Sequence, residues 1–276
     1  MGKKKDLVNF IIPVHQVVDS LRVAVKSISD LEKSTIEHKI FIACIQDVFD
    51  KLHDQPEYKD VSFVVEKDSW KTSYQELVNC AIDNIKLSKD SNNNDWIYIL
   101  EYDDEILPKA LKVFKEFKEY KEADIYAPIS LVVENSEGSS TKKLLALQNE
   151  AAWAQGLSEE HGFIDFNMML RMNFLFVNGC FISLKVIEDY GAFKPEIKNT
   201  FDYEFALRMV YNGVIIFAIP RAVHYHYTSN SGYSGIFKKM PQDERDFWVS
   251  LARKEYFYED VNPRYKDREN FSFKAK

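Results

Sequence analysis

Glycine and cysteine are scarce in this 276-residue chain, at nine and three residues, and no apolar run of membrane-spanning length occurs. Each shortage excludes something. Without roughly 18 consecutive apolar residues there is no candidate transmembrane helix. The opening MGKKKD has no apolar stretch of the kind a signal peptide carries, and Asp6 stands where a myristoylation signal has Ser or Thr. Cys44, Cys80 and Cys180 are far apart in apolar contexts, which excludes a disulfide framework and zinc-ligand spacing. They read as reduced core thiols, and the expected location is cytoplasmic. An excess of basic residues is also missing: 36 Lys and Arg stand against 43 Asp and Glu, a formal net charge of -7. That balance disfavours nucleic acid as a main partner, with a local basic patch left open. No glycine occurs in PVHQVVDS (13–20), so a Gly-rich phosphate loop after the first apolar run is excluded.

What is present is an alternation. LVNFIIPV (7–14), HKIFIACI (38–45), VSFVVE (61–66) and WIYIL (96–100) read as buried strands. Between them, DSLRVAVKSISDL (19–31) and SYQELVNCAIDNIKL (73–87) have helical spacing, with Asp19 or Ser20 capping the first. PKALKVFKEFKEY (108–120) reads as a helix with Pro108 at its first position. This order predicts an α/β fold with a mostly parallel sheet covered on both faces and ligands beyond the carboxyl ends of the strands.

The second half is less regular. Residues 134–143 and 155–162 read as surface loops, and NFLFVNGCFISL (173–184) as strand-like around Asn178 and Gly179. KVIEDYG (185–191) and TFDYEFALRMVYNG (200–213) read as helices ended by glycine, and VIIFAI (214–219) as a strand. Pro241 opens a charged amphipathic helix to about Tyr258, with a tail beyond it. That helix has three roles open to it: covering a site, forming a homodimer contact, or lying on a membrane surface.

The candidate chemistry lies just after the fourth strand, in EYDDE (101–105). In an extended segment Glu101, Asp103 and Glu105 face one side and Asp104 the other. Crowded carboxylates call for a cation, and their hard oxygens suit Mn²⁺ or Mg²⁺ held against a nucleotide diphosphate. A solvated acidic loop or helix start accounts for the same residues. His224 and His226 in VHYHY also share one face and are metal-ligand candidates, with structural packing as the plain alternative. Asp202 and Glu204 occupy the first turn of a helix, where capping explains acids and a general base is the functional reading.

Six segments in this order resemble the family 2 glycosyltransferases of the GT-A fold. NFIIPVHQ is similar to the family's opening strand, and IQDVFD stands where "VDDGSxD" is usual. LVNCAID resembles the "ARNxGI" helix, and YILEYDDEILPKAL the metal-binding "LDxDDxLxPxAL". NGCFISLKVIEDYGAF resembles the acceptor-side segment, and TFDYEFALRMVYNG the "EDxDLxLRxxxxG" segment that carries the catalytic base. The resemblance covers residues 7–227. It implies a Rossmann-like, three-layer GT-A sandwich over residues 1–240, with 241–276 as a helical extension packed on or flanking it.

The implied activity is metal-dependent transfer of a sugar from a nucleotide-sugar donor, a UDP-sugar among the candidates, to a glycan or other hydroxyl acceptor, with inversion. In the implied site Pro13, Val14, His15, Asp47, Asn79 and Tyr102 contact the nucleotide. Glu101 and Asp103 hold Mn²⁺ or Mg²⁺, with His224 or His226 near the metal or diphosphate. Asp202 is the catalytic base, and Asn178, Gly179 and Glu204 lie on the sugar or acceptor side. Several positions depart from the pattern: Glu101 replaces Asp, Gln46 replaces the first Asp before Asp47, Val78 replaces Arg, Ala192 replaces Gly and Phe201 replaces Glu. These departures keep a non-catalytic sugar-nucleotide or glycan-binding protein as the alternative. A sugar-1-phosphate nucleotidyltransferase is disfavoured by the missing glycine loop.

Overall fold

The computed structural model describes residues 6–32, 36–67, 73–88, 95–135, 142–153, 160–171, 175–228 and 241–253. β1 (Leu7–Val14) lies between two parallel neighbours, β2 (Glu37–Ile45) and β4 (Trp96–Ile99), and β3 (Ser62–Glu66) runs parallel to β2 on the outside. A strand flanked on both sides and covered on both faces leaves no place for polar alternation, which is why LVNFIIPV is almost continuously apolar.

Helices cover both faces. α1 (Ser20–Ser29) buries Leu21, Ala24, Val25 and Ile28, a helical stripe, on the same side as α2 (Gln46–Leu52) and α4 (Ala110–Tyr120). α3 (Tyr74–Leu87) buries Leu77, Val78, Ala81, Ile82 and Ile85 on the other side. It begins in a capping box, in which Ser73 and Glu76 satisfy each other's backbone N–H groups. Strand residues divide accordingly: Phe10, Ile12 and Tyr98 pack toward α1 and α4, whereas Ile11, Ile97 and Ile99 pack toward α3.

The second half extends the same sheet. β6 (Ile125–Asn135) pairs in parallel with β10 (Ile216–Tyr227), and β9 (Phe181–Ser183) runs antiparallel between β4 and β6. β5 (Glu105–Ile106), β7 (Lys142–Gln148) and β8 (Phe163–Ile164) attach antiparallel to β10, β6 and β10. Among the described residues the order is β3-β2-β1-β4-β9-β6-β10-β5, with β7 on β6 and β8 on β10. Because β4 and β6 both oppose β9, they point the same way, so the sheet is mixed with its longer core strands parallel. α5 (Phe166–Arg171), α6 (Leu184–Tyr190) and α7 (Phe201–Tyr211) join the α3 layer. α8 (Gln242–Arg253) rests on α7, and Arg253 donates to the Tyr203 hydroxyl at 2.6 Å and to the Leu170 carbonyl at 2.8 Å.

Several expectations are corrected. The loop expected at 134–143 is partly strand, because β6 runs to Asn135 and β7 starts at Lys142. β6 itself escaped notice because Pro128 interrupts it, and proline argues against a sheet interior. Around Asn178 and Gly179 the backbone turns, and among the described residues of this segment only Phe181–Ser183 is strand. The strand read at 214–219 continues to Tyr227 through two irregularities in its ladder. Pro108 lies in a turn before α4, and Gln46 and Asp47 open α2. Asp19 sits at the start of α1 without a side-chain cap bond. Most of the loop read at 155–162, and everything read beyond residue 253, lie outside the described residues. No described helix is long and apolar enough to cross a membrane.

Candidate active site

β4 ends at Ile99, and the chain then turns: the Asp104 N–H donates to the Glu101 carbonyl at 3.1 Å. A turn brings positions i and i+3 together, whereas an extended chain separates them. Glu101 therefore meets Asp104, where an extended segment would have set it beside Asp103 and Glu105. Glu101, Asp104 and His226 offer ligand atoms that all lie within 4.8 Å of one another. Asp103 stands outside this trio, although its charge acts on both Glu101 and His226. Glu105 is engaged elsewhere, accepting from Lys142 Nζ at 2.5 Å and from the Tyr227 hydroxyl at 2.8 Å.

Asp104 is only 1% exposed, and it accepts from the Tyr227 N–H at 3.0 Å and lies 3.1 Å from His226 Nδ1. Burial pulls the His226 pKa down, but the Asp104 carboxylate, aided by Glu101 and Asp103, outweighs it and lifts the value to about 9. Burial, and then Asp104, hold the Glu101 carboxyl well above the usual carboxylate range. The cluster thus balances its buried negative charge with protons, and the same three donor groups could instead hold a divalent cation.

His224 behaves differently. Burial lowers its pKa to about 4, so its ring is neutral at pH 7. Its Nδ1 lies 3.1 Å from the Tyr98 hydroxyl and 3.3 Å from Ser130 Oγ, and its Nε2 is 4.0 Å from Asp104. Of the two histidines, only His226 belongs to the trio; His224 forms the floor beneath it.

A small cavity opens above this floor, with Glu101, His224 and His226 on its wall together with Asn178, Phe201 and Asp202. Asp202, in the first turn of α7, has Oδ1 held by the Tyr203 N–H at 2.8 Å. Gly179 is required at its position. Its φ is +82°, and a Cβ there would lie 2.0 Å from His224 Cε1. Gly179→Ala is expected to destabilise the fold by at least about 2 kcal/mol, read as a fall in melting temperature on the order of 5 °C or more. An unchanged melting temperature would show that the His224 floor yields easily.

Other predicted residues are distributed around the rim or committed to structure. Pro13 and Val14 are buried at the end of β1; His15 is exposed, with its ring 5.3 Å from that of Tyr102. Asp47 is exposed in the first turn of α2. Asn79, expected at the nucleotide, instead pairs both ways with the backbone of Phe193, at 2.8 and 3.2 Å, and so fastens α3 to the loop before α7. Glu204, expected on the sugar side, is 2% exposed and bonded to Arg208 at 3.0 Å and Lys194 at 2.9 Å, while Arg208 donates to the Tyr190, Gly191 and Ala192 carbonyls. Its carboxylate is spent on a buried ion pair. The turn brings Asp104, expected on the opposite side of the segment, to Glu101, and Tyr98 and Ser130 join the site with no signal in the sequence to mark them. The Leu107–Pro108 stop soon after EYDDE was the available sign of a turn.

This arrangement, a mixed α/β sheet with an acidic and imidazole cluster beyond its strand ends, is Rossmann-like in kind. The particular likeness is to S. aureus TarS. The structure of TarS 1–349 in complex with UDP-GlcNAc superposes with a TM-score of 0.64 at 13% identity, covering 95% of this chain and 69% of TarS 1–349. TarS 1–349 in another crystal structure gives 0.55 at 14% identity, covering 98% and 75%. Against the longer TarS chain the score is 0.56 at 13% identity, and this chain spans 46% of its length. At such identity the likeness establishes the fold and not the chemistry. No protein-family model and no curated protein matches the sequence.

Proposed function

We propose that this chain is a metal-dependent glycosyltransferase of the GT-A type, moving a sugar from a nucleoside-diphosphate donor to an acceptor hydroxyl with inversion. One observation carries the reading: Asp202 opens onto the same cavity as Glu101 and His226, so a base and a cation cluster face a common space. The fold shared with a protein holding UDP-GlcNAc supports a UDP-sugar as donor.

The donor atoms suit a divalent ion. Two carboxylates match Mn²⁺ or Mg²⁺, and the imidazole tilts the choice toward Mn²⁺. When bound, such an ion neutralises charge growing on the leaving diphosphate. Asp202 takes the proton from the acceptor hydroxyl. The acceptor oxygen bonds to the anomeric carbon as the bond from that carbon to the diphosphate oxygen breaks, and the electron pair leaves with the diphosphate. A single displacement of this kind inverts the centre. Pro13, Val14, His15, Asp47 and Tyr102 sit at the carboxyl ends of β1, β2 and β4, where the nucleobase belongs in such sheets. In this reading residues 1–240 are the catalytic unit, and α8 belongs to an extension seated on α7.

A thermal-shift panel of UDP-GlcNAc, other UDP-sugars and GDP-sugars, each with and without Mn²⁺, tests the reading. A ligand at 100 times its Kd stabilises the native state by about 2.7 kcal/mol, so a clear rise is expected with a sugar nucleotide and Mn²⁺ together. If no member of the panel raises the melting temperature in the presence of Mn²⁺, the assignment fails.

A further inference from the structure

Asn178 links two elements that approach the site from different directions. It precedes Gly179, whose N–H donates to the Ile99 carbonyl at 2.9 Å, so its turn is fixed to the end of β4, just before Glu101. Its Oδ1 accepts from the Tyr74 hydroxyl, and its Nδ2 donates to Glu101 Oε1 at 2.5 Å. Tyr74 is itself held in the first turn of α3, behind the capping box, with its ring tilted against Phe201 at 5.3 Å.

The order of donors is set by chemistry. A phenol at neutral pH keeps its proton and can give it to the amide oxygen. The amide nitrogen is then presented to Glu101, whose carboxylate, ionised once a cation displaces its proton, can only accept. A reversed amide would set its oxygen against the carboxylate, acceptor to acceptor. The chain Tyr74–Asn178–Glu101 therefore favours one rotamer of Glu101, and it leaves the remaining carboxylate lone pairs for the side shared with Asp104 and His226.

We propose that Asn178 is a positioning residue that orients Glu101 for the cation, and that Tyr74 in turn orients Asn178. This rests on the metal-dependent reading above. It differs from the sequence expectation, in which Asn178 touches sugar or acceptor.

The test is calorimetric titration of Mn²⁺ in the presence of saturating UDP. The proteins are wild type, Asn178→Leu, Tyr74→Phe and the double variant, with metal-free melting temperatures as the check on folding. Asn178→Leu is expected to weaken Mn²⁺ binding by about 10- to 100-fold, the usual range for removing a partner behind a ligand. Tyr74→Phe should give a smaller loss in the same direction, and it should add nothing in the Asn178→Leu background, because the two side chains act through one chain. If wild type binds no Mn²⁺, the cation reading falls and this proposal with it. If wild type binds and Asn178→Leu binds equally well, only the positioning role falls. A raised KM for the donor with unchanged Mn²⁺ affinity would make Asn178 a substrate contact instead. Should Asn178→Leu not fold, Tyr74→Phe decides alone, and an unchanged Mn²⁺ affinity there overturns the proposal.

Discussion

Asp202→Asn is expected to lower sugar transfer by about 10³-fold while changing UDP affinity by less than about twofold. The substitution keeps the shape of the side chain and its hydrogen bond from the Tyr203 N–H, because an amide oxygen accepts there as a carboxylate oxygen does. It removes the basicity that receives the acceptor proton, and general-base catalysis contributes roughly 10²–10⁴-fold. Asp202 lines the cavity from the start of α7 and is not one of the trio, so donor binding should not depend on its charge. Transfer is measured as release of UDP from the donor in the presence of acceptor, and affinity by titration of UDP with Mn²⁺. A variant that loses UDP binding in proportion to activity would move Asp202 from catalysis to donor recognition.

Asp104→Asn is expected to weaken Mn²⁺ binding by more than about 100-fold, beyond the effect of losing a partner behind a ligand. Asp103→Ala is the internal comparison, because the sequence pointed to Asp103 and the turn selects Asp104. A larger loss at position 103 would restore the extended picture of this segment. The same cluster gives a pH dependence whose sign is fixed. The His226 pKa rises from 6.5 to about 9, and Glu101 is raised as well. In the metal-free protein, stability from His226 is fully present below pH 6.5 and is lost as pH climbs through about 9; a raised Glu101 acts in the same direction. An ion must displace those protons, so Mn²⁺ affinity should increase across that window, by up to about tenfold per pH unit for each proton released. Metal-free and Mn²⁺-loaded melting temperatures should therefore diverge with rising pH. Equal Mn²⁺ affinity at pH 6.5 and pH 9 would show that the cluster binds without giving up protons.

The parallel half of the fold was legible because its signals are local. Continuous apolar runs alternate with helical stripes, and buried parallel strands have no other pattern to show. The antiparallel insertion of β9 and the strand through Pro128 were not legible, since both depend on distant partners that outweigh local preference. In the site, residue types were readable and facing was not. EYDDE promised a cation, but which carboxylates meet depends on one backbone hydrogen bond, from the Asp104 N–H to the Glu101 carbonyl. VHYHY promised a histidine ligand, but neighbours 90 or more residues away separate the two rings: Asp104 claims His226, and Tyr98 and Ser130 claim His224. Glu204 and Asn79 misled for the opposite reason. Their types suit a site, yet a buried arginine and a loop backbone had already engaged them.

The ladder between β6 and β10 has one more consequence. Phe217 and Ile219 sit opposite Tyr126 and Pro128, but His224 and His226 sit opposite Ser130 and Val132. Between the pairs 219/128 and 224/130, β10 advances five residues while β6 advances two, a surplus of three. An odd surplus reverses parity along the strand, so even-numbered residues take the place that odd-numbered ones held upstream. Downstream of that irregularity the register is held from a second side, by the pairing of His224 with Ile106 on β5 and by the bond from the Tyr227 N–H to Asp104. Which imidazole faces Asp104 is thus set by a miscount between two neighbouring strands, so the cluster depends on a ladder irregularity as much as on residue type.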